Sequence, residues 1–315
     1  RVRAATRKGA QVSVIHDADH DWAMTMRAKA IAPAGRWPLV LAGVAAAVAA
    51  AKGVPAPVAA TADATAEAIA QSLLSGERKA IFLGNAAAHH AKASSLLALA
   101  QWIAEQTGAS FGFLTEAANT VGAQLAGAQP RAGGLNAGQM LAGGLKAAIL
   151  LNTEPEFDAA AGAAAAKALG QAEMVVTLSP FKANLAFSDV LLPIAPFTET
   201  PGTFVNAEGR VQGFHAVVKP LGETRPAWKV LRVLGNLLGL PGFDFESSQE
   251  VLVAVRGPQD VDQPFVQGPR LDNHTSASID VAETAGRPAS AAMTFFAISS
   301  MDRSAALSTA MSARL

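Results

Sequence analysis

The sequence predicts an α/β chain with a doubly wound, mainly parallel sheet. Short apolar runs alternate with longer segments of helical period from about residue 11 to residue 193. Strands alternating with helices form βαβ units, whose parallel sheet is covered on both faces. The 315 residues leave room for about two domains at roughly 150 residues each. The charge balance is even, with 25 basic and 25 acidic side chains, which argues against a nucleic-acid or anionic-membrane binder. There is no cysteine, so a disulfide framework, a cluster held by cysteine thiolates and a cysteine nucleophile are excluded within this chain.

Taken in order, a basic segment ends a helix at Gly9 and leads into the β-type run Gln11 to Ile15. The run Trp37 to Ala51 is apolar but shorter than the ~20 residues that cross a bilayer. Residues 61–75 read as a helix with Thr61 as N-cap and Gly76 as stop. Lys79 to Leu83 is a strand, and 88–107 a helix with Leu96, Leu97, Leu99, Trp102 and Ile103 on its apolar stripe. Phe111 to Leu114 is a short strand, 115–125 a helix, 132–144 a glycine-rich loop and Ala147 to Leu151 a buried strand. Glu154 to Leu169 reads as a helix with acidic residues in its first turn, where the helix dipole favours them. Met174 to Leu178 and Val190 to Pro193 are two further strands.

After residue 196 the pattern changes. Residues 197–213 are rich in Thr, Gly, Asn and Glu and have no helical period, so they read as a loop. Arg225-Pro226 opens a helix to Leu238, with proline at the first helical position and Trp228, Leu231, Leu234 and Leu238 on one face. Beyond Gly242 no period is sustained. The expected organisation is therefore a truncated end of an α/β domain over 1–60, an α/β domain over 61–240 and an irregular segment over 241–315. No basic, apolar and small-residue succession of the signal-peptide kind opens the chain, and Arg1 reads as lying inside a helix of a longer polypeptide.

Four groups of residues bear on chemistry. Gly84-Asn85 sits where a strand meets a helix, the position of a phosphate-binding turn, but GNAAAHH has one glycine where the dinucleotide fingerprint needs three. His89 and His90 are adjacent, point about 100° apart on a helix and have no ligand-type residue at i+4, so they do not form a metal site. Glu154, Glu156 and Asp158 follow a strand, where acid–base groups of α/β enzymes sit, and equally suit a helix N-terminus. The loop FTETPGTFVNAEGRVQG places Glu199, Gly202, Thr203, Asn206, Glu208, Gly209 and Arg210 together after a strand. Such a polar loop is either a binding site or a segment whose side chains bond each other and the backbone.

That loop and its flanks resemble a known family. The run SDVLLPIAPFTETPGTFVNAEGRVQ (188–212) and its continuation KPLGETRPAWKVLRVLGNLLG (219–239) are similar to the molybdopterin-oxidoreductase superfamily. Within it they most resemble the large iron–sulfur G subunit of bacterial NADH:quinone oxidoreductase, respiratory complex I. TEAANTVGAQLAG (115–127), KAAILLNTEPEFD (146–158) and, more weakly, RKGAQVSVI (7–15) resemble further segments of that subunit. The resemblance implies that Asp189, Pro193, Glu199, Gly202, Thr203, Asn206, Glu208, Gly209 and Arg210 build the family loop, which lies near the pterin in molybdenum enzymes. In the complex I subunit it implies a relic loop without pterin, no catalytic residue, no metal and no cofactor in this chain. Iron–sulfur clusters belong to a cysteine-rich N-terminal part of the parent subunit. The partners implied are the other peripheral-arm subunits, at the cytoplasmic face of the bacterial inner membrane, with no nucleic acid and no direct membrane insertion. Self-association through a face once covered by the rest of the subunit is a further expectation. The alternative is part of a molybdopterin-dependent oxidoreductase of formate dehydrogenase type that keeps its pterin at 197–213.

Overall fold

In the computed structural model, residues 2–130, 132–159, 162–256, 272–284 and 295–300 are described, the last six as backbone. The fold class is the expected one, α/β with parallel sheets. The chain forms two compact units, Arg1–Ala117 with Leu271–Leu315, and Ala118–Arg270. The expected boundaries at 60 and 240 fall inside these units. The helices on either side of residue 60 pack on one another, because Gly43 lets the first approach the Thr61 carbonyl just before the second and Ala66 within it.

The first unit opens with α1 (Val2–Thr6), whose buried Ala5 packs with Ala10, Val12 and Val14. Gly9, at φ +90°, turns the chain into β1 (Gln11–His16), which is buried almost throughout. β2 (Ala28–Ile31) follows, and then α2 (Trp37–Lys52), ended by Gly53 in the left-handed region. By length and composition Ala34–Lys52 is apolar enough to cross a membrane, but most of it is buried within this unit. Trp37, Leu41, Val44 and Val48 meet Ile69 and Leu73 of α3 (Ala64–Ser75), Ile81 and Leu83 of β3 (Arg78–Leu83), and Leu96, Leu99 and Ile103 of α5 (Ala93–Thr107). The N-cap of α3 is Asp63, not Thr61. Its carboxylate accepts from the Ala66 N–H at 2.7 Å, satisfying a donor the first turn leaves free.

The helix expected over 88–107 is interrupted: α4 (Asn85–Ala88) and α5 are separated by His89–Lys92. His90 causes the break. Its buried Nε2 bonds the Ala34 carbonyl at 3.0 Å and its Nδ1 accepts from the Lys92 N–H at 2.9 Å, which together define the neutral tautomer. Burial lowers the His90 pKa, opposed by the Ala34 bond and reinforced by the nearby Lys92 charge. The folded state therefore binds its proton less readily than the unfolded chain. His90 contributes stability above the ordinary value of 6.5, and that contribution is lost as pH falls from there towards the lowered folded pKa. Urea unfolding of wild type and His90→Gln between pH 7.5 and 5 is expected to show the wild-type midpoint falling more steeply.

β4 (Ser110–Phe113) completes the parallel pair with β3. The sheet order is β2-β1-β10-β3-β4, where β10 (Phe295–Ser300) is antiparallel to both neighbours. The segment after residue 240 thus holds more structure than its composition suggests. Before β10, residues 272–284 cross the unit as an extended strap. The Thr275 N–H donates to Gln101 Oε1 at 2.9 Å, the Asp280 N–H to Ser95 Oγ at 3.0 Å, and Lys92 pairs with Asp280 at 2.7 Å.

The second unit starts with α6 (Thr120–Leu125) and α7 (Ala137–Leu141), the latter inside the expected glycine-rich loop. A reciprocal capping box between Asn136 and Gln139 starts α7. β5 (Ala147–Leu151), β6 (Met174–Ser179) and β7 (Val190–Pro193) form a parallel sheet in the order β5-β6-β7. The helix expected over 154–169 is split into α8 (Pro155–Asp158) and α9 (Gly162–Leu169), with residues 160 and 161 outside the described residues. Residues 197–213, expected as an irregular loop, form a hairpin of β8 (Gly202–Val205) and β9 (Val211–Phe214). The short strands escaped notice because Gly202, Thr203, Gln212 and Gly213 break the apolar alternation that marks a half-buried strand.

α10 (Ala227–Leu237) follows. Pro226 is its N-cap at ψ 138°, not its first residue, and Leu238 is 65% exposed, so the expected apolar face stops short of the helix end. Trp228 is half-buried, and its Nε1 is a buried donor without a partner among the described residues. Truncation of a fully buried tryptophan costs about 3 to 5 kcal/mol; Trp228→Ala is expected to cost about 2 kcal/mol in chemical denaturation, because part of the ring is already in water and an orphan donor goes with it. α11 (Ser248–Arg256) lies in the segment expected to be irregular, while 257–271 and 301–315 lie outside the described residues.

Candidate functional site

The structure brings the singled-out residues of 197–213 into one hairpin, and their geometry is that of a self-satisfied turn. The Asn206 side-chain oxygen accepts from the backbone N–H of Glu208 at 3.0 Å and of Arg210 at 2.9 Å. The Asn206 N–H donates to the Arg210 carbonyl at 3.1 Å and the Gly209 N–H to the Asn206 carbonyl at 2.9 Å. This closure needs φ +79° at residue 209, which glycine adopts without a Cβ clash. Gly202 faces Phe214 across the strands, and a Cβ there would meet the Phe214 ring 2.8 Å away. The glycine makes room for the Phe204–Phe214 edge contact, with ring centroids 4.7 Å apart.

Glu199, one turn upstream, accepts the Leu221 N–H on Oε2 at 2.9 Å, joining the stretch before the hairpin to the one after it. Asn119 docks the hairpin on α6: its Oδ1 accepts the Val205 N–H at 2.8 Å. Gly122 lies beneath that side chain, where any Cβ would collide with Asn119 Oδ1. Two separated sequence runs, 115–127 and 188–212, are thus joined by one hydrogen bond. Sequence reasoning did not single out Asn119. Asp189 also works locally, its carboxylate accepting the Val175 N–H at 2.7 Å and so aligning β7 with β6. Thr203 is half-buried in β8, Glu208 half-buried in the turn, and Arg210 exposed.

The other candidates are placed apart from this hairpin in the chain. His89 and His90 diverge as expected: His89 pairs with Glu116 at 2.8 Å while His90 points inward to Ala34. Asp158 accepts the Glu154 N–H at 2.7 Å and the Thr153 hydroxyl at 3.2 Å, so this carboxylate holds a helix start. Among the described residues no group of three or more His, Asp or Glu is placed to hold a metal ion. At the carboxyl end of β1 a three-ring cluster, His16, His20 and Trp22, has centroids 4.7 to 5.7 Å apart. Sequence reasoning missed it, since the rings of His20 and Trp22 come from an irregular segment after β1, where no helical or strand period marks which side chains meet.

Parallel sheets linked by helices, with a hairpin after the last parallel strand, define a doubly wound α/β protein whose polar 206–210 turn closes on itself. The chain belongs to the molybdopterin oxidoreductase family: the family described as Molybdopterin oxidoreductase matches residues 4–237, more than half of the 315-residue chain. Among curated proteins it is similar to a Staphylococcus aureus (strain bovine RF122 / ET3-1) protein described as "Putative formate dehydrogenase" and to the Bacillus subtilis (strain 168) protein described as "Probable oxidoreductase YjgC". Each is 39% identical over 66 residues, which are 21% of this chain and 7% of the relative. The matched part is thus a small share of either relative's length.

The family name implies a molybdopterin, and the hairpin does not fit that group. A pterin needs a set of outward-facing donors and acceptors. Here the Asn206 side-chain oxygen accepts two backbone N–H bonds, a Glu199 carboxylate oxygen is taken by Leu221, and Gly202 and Gly209 serve turn and ring packing. Of the singled-out residues, Arg210 is exposed and Thr203 and Glu208 are half-buried, three side chains that by themselves are too few to enclose a ring system.

Proposed function

We propose that this chain is part of the G subunit of bacterial NADH:quinone oxidoreductase, where it serves as a non-catalytic scaffold of the peripheral arm. The observation that carries this reading is the closed hairpin, whose Asn206 and Glu199 are engaged in holding backbone. The cysteine-free composition supports it, because a chain without thiolates cannot carry the iron–sulfur relay itself. In this reading the chain has no catalytic residue, metal or cofactor, and the clusters sit in another part of the parent subunit. Its partners are the neighbouring peripheral-arm subunits at the cytoplasmic face of the inner membrane, and it neither inserts in the bilayer nor binds nucleic acid.

A second reading is favoured by the names of the relatives: part of a formate dehydrogenase-like oxidoreductase whose pterin contacts Arg210 while other polypeptide encloses it. Elemental analysis for molybdenum and tungsten, with extraction of pterin fluorescence, on chain purified from a host that makes the cofactor separates the two. The scaffold reading expects neither metal nor pterin. A pterin near one per chain, lost in Arg210→Ala without change in the unfolding midpoint, would overturn it.

A further inference from the structure

We propose that β10 is an exchangeable strand, and that two copies of this chain form a dimer by each inserting β10 into the other's sheet. The slot it fills is well defined. β1 and β2 are parallel to one another, as are β3 and β4, and β10 lies between the two pairs, antiparallel to both. It pairs along Gln11–Ile15 on one side and Arg78–Leu83 on the other. Without it two central strands would each present an unpaired row of N–H and C=O groups, which templates the pairing of another strand. The residues that flank the slot, among them Val12, Val14, Ala80, Ile81 and Leu83, are buried, so the slot favours an apolar, uncharged strand. Phe295-Phe-Ala-Ile-Ser-Ser300 is such a sequence.

Three features make a second copy the occupant. Among the described strands of this sheet β10 is the one outside the succession running from β1 to β4, so its departure breaks no crossover between them. The strap before it is fastened separately, through Thr275, Asp280 and the Lys92 pair, and remains docked when β10 leaves. Thr284 and Phe295 are joined by a sequence that includes Gly286 and Pro288, and exchange of an identical element across such a connection needs no contact that the single chain does not already make.

The absence of cysteine makes the test clean. Gln11 and Ser299 are directly paired, and paired positions of antiparallel strands lie within disulfide reach. Gln11→Cys and Ser299→Cys chains are prepared separately, mixed, unfolded and refolded together at high concentration, then oxidised and run without reductant. Exchange gives a disulfide-linked species of twice 32.1 kDa in the mixture, well above what either variant yields alone. The double variant Gln11→Cys/Ser299→Cys is the control for folding. If it closes an internal disulfide while the mixture stays at single-chain mass, β10 serves only its own chain and the proposal is overturned. If it closes no disulfide, β10 does not occupy the slot, and the proposal falls as well.

Discussion

Trp37→Ala is expected to destabilise the first unit by about 3 to 5 kcal/mol, the range for removal of a fully buried tryptophan. Trp37 is 2% exposed and stands at the start of α2, where α2 meets α5 and the sheet. Its Nε1 donates to the Ala32 carbonyl at 3.0 Å, and its ring lies 5.8 Å from that of His90. Alanine leaves a cavity, an unpartnered carbonyl and a His90 ring without its neighbour, three losses that the rigid surroundings relax only in part. Trp37→Phe keeps most of the volume and loses the hydrogen bond, so it is expected to recover more than half of the loss. Denaturant unfolding followed by far-ultraviolet circular dichroism measures both. A loss below about 1 kcal/mol for Trp37→Ala would show that α2 is not held as described.

Asn206→Ala is expected to cost about 2 kcal/mol in the second unit, since two backbone N–H groups lose their shared acceptor while the turn stays closed by main-chain bonds. The contrast with Arg210→Ala is informative. Arg210 is exposed, and removal of its side chain is expected to change stability by less than about 0.5 kcal/mol. A hairpin that serves structure loses stability with Asn206 and little with Arg210. A hairpin that serves a ligand loses binding with Arg210 and keeps its fold. Unfolding midpoints of the two variants, measured together, rank the residues by role.

The strands β1, β3 and β6 were legible in the sequence because buried parallel strands are short, continuous apolar runs. β5 and β7 were legible as the same kind of run, but β5, expected to be buried, is not: Ile149 is 60% and Leu151 44% exposed. The helices were legible as periods but not as lengths. Alanine and leucine, both strong helix formers, recur through 88–107, so the pattern gave no sign that His90 turns inward and breaks the segment. Thr61 and Asp63 are both good caps on paper, and the structure uses Asp63, which is extended and within reach of the Ala66 N–H in the first turn. The β8–β9 hairpin was hidden because its register relies on a glycine opposite a phenylalanine ring and on Asn119 from a distant segment. The polar residues of 197–213 were found together from sequence. Whether they face a ligand or each other is a matter of side-chain direction, which composition does not encode.

The place of β10 in the sheet also has a bearing on synthesis. Ribosomes deliver a polypeptide from its amino end, at about 5 to 20 residues per second, and domains generally fold as units as they emerge. The second unit is continuous in sequence, so it completes itself while the last part of the chain is still being made. The first unit cannot: β1 is made before the second unit, and β10, the strand that covers its inner edge, is made after it. Its open sheet therefore waits while the second unit is being made. Pairings this distant along the chain are slow to form and leave edges exposed meanwhile. A nascent chain stalled before residue 295 should thus present a folded second unit and a first unit that recruits holding chaperones, whereas extension past β10 should free it of them.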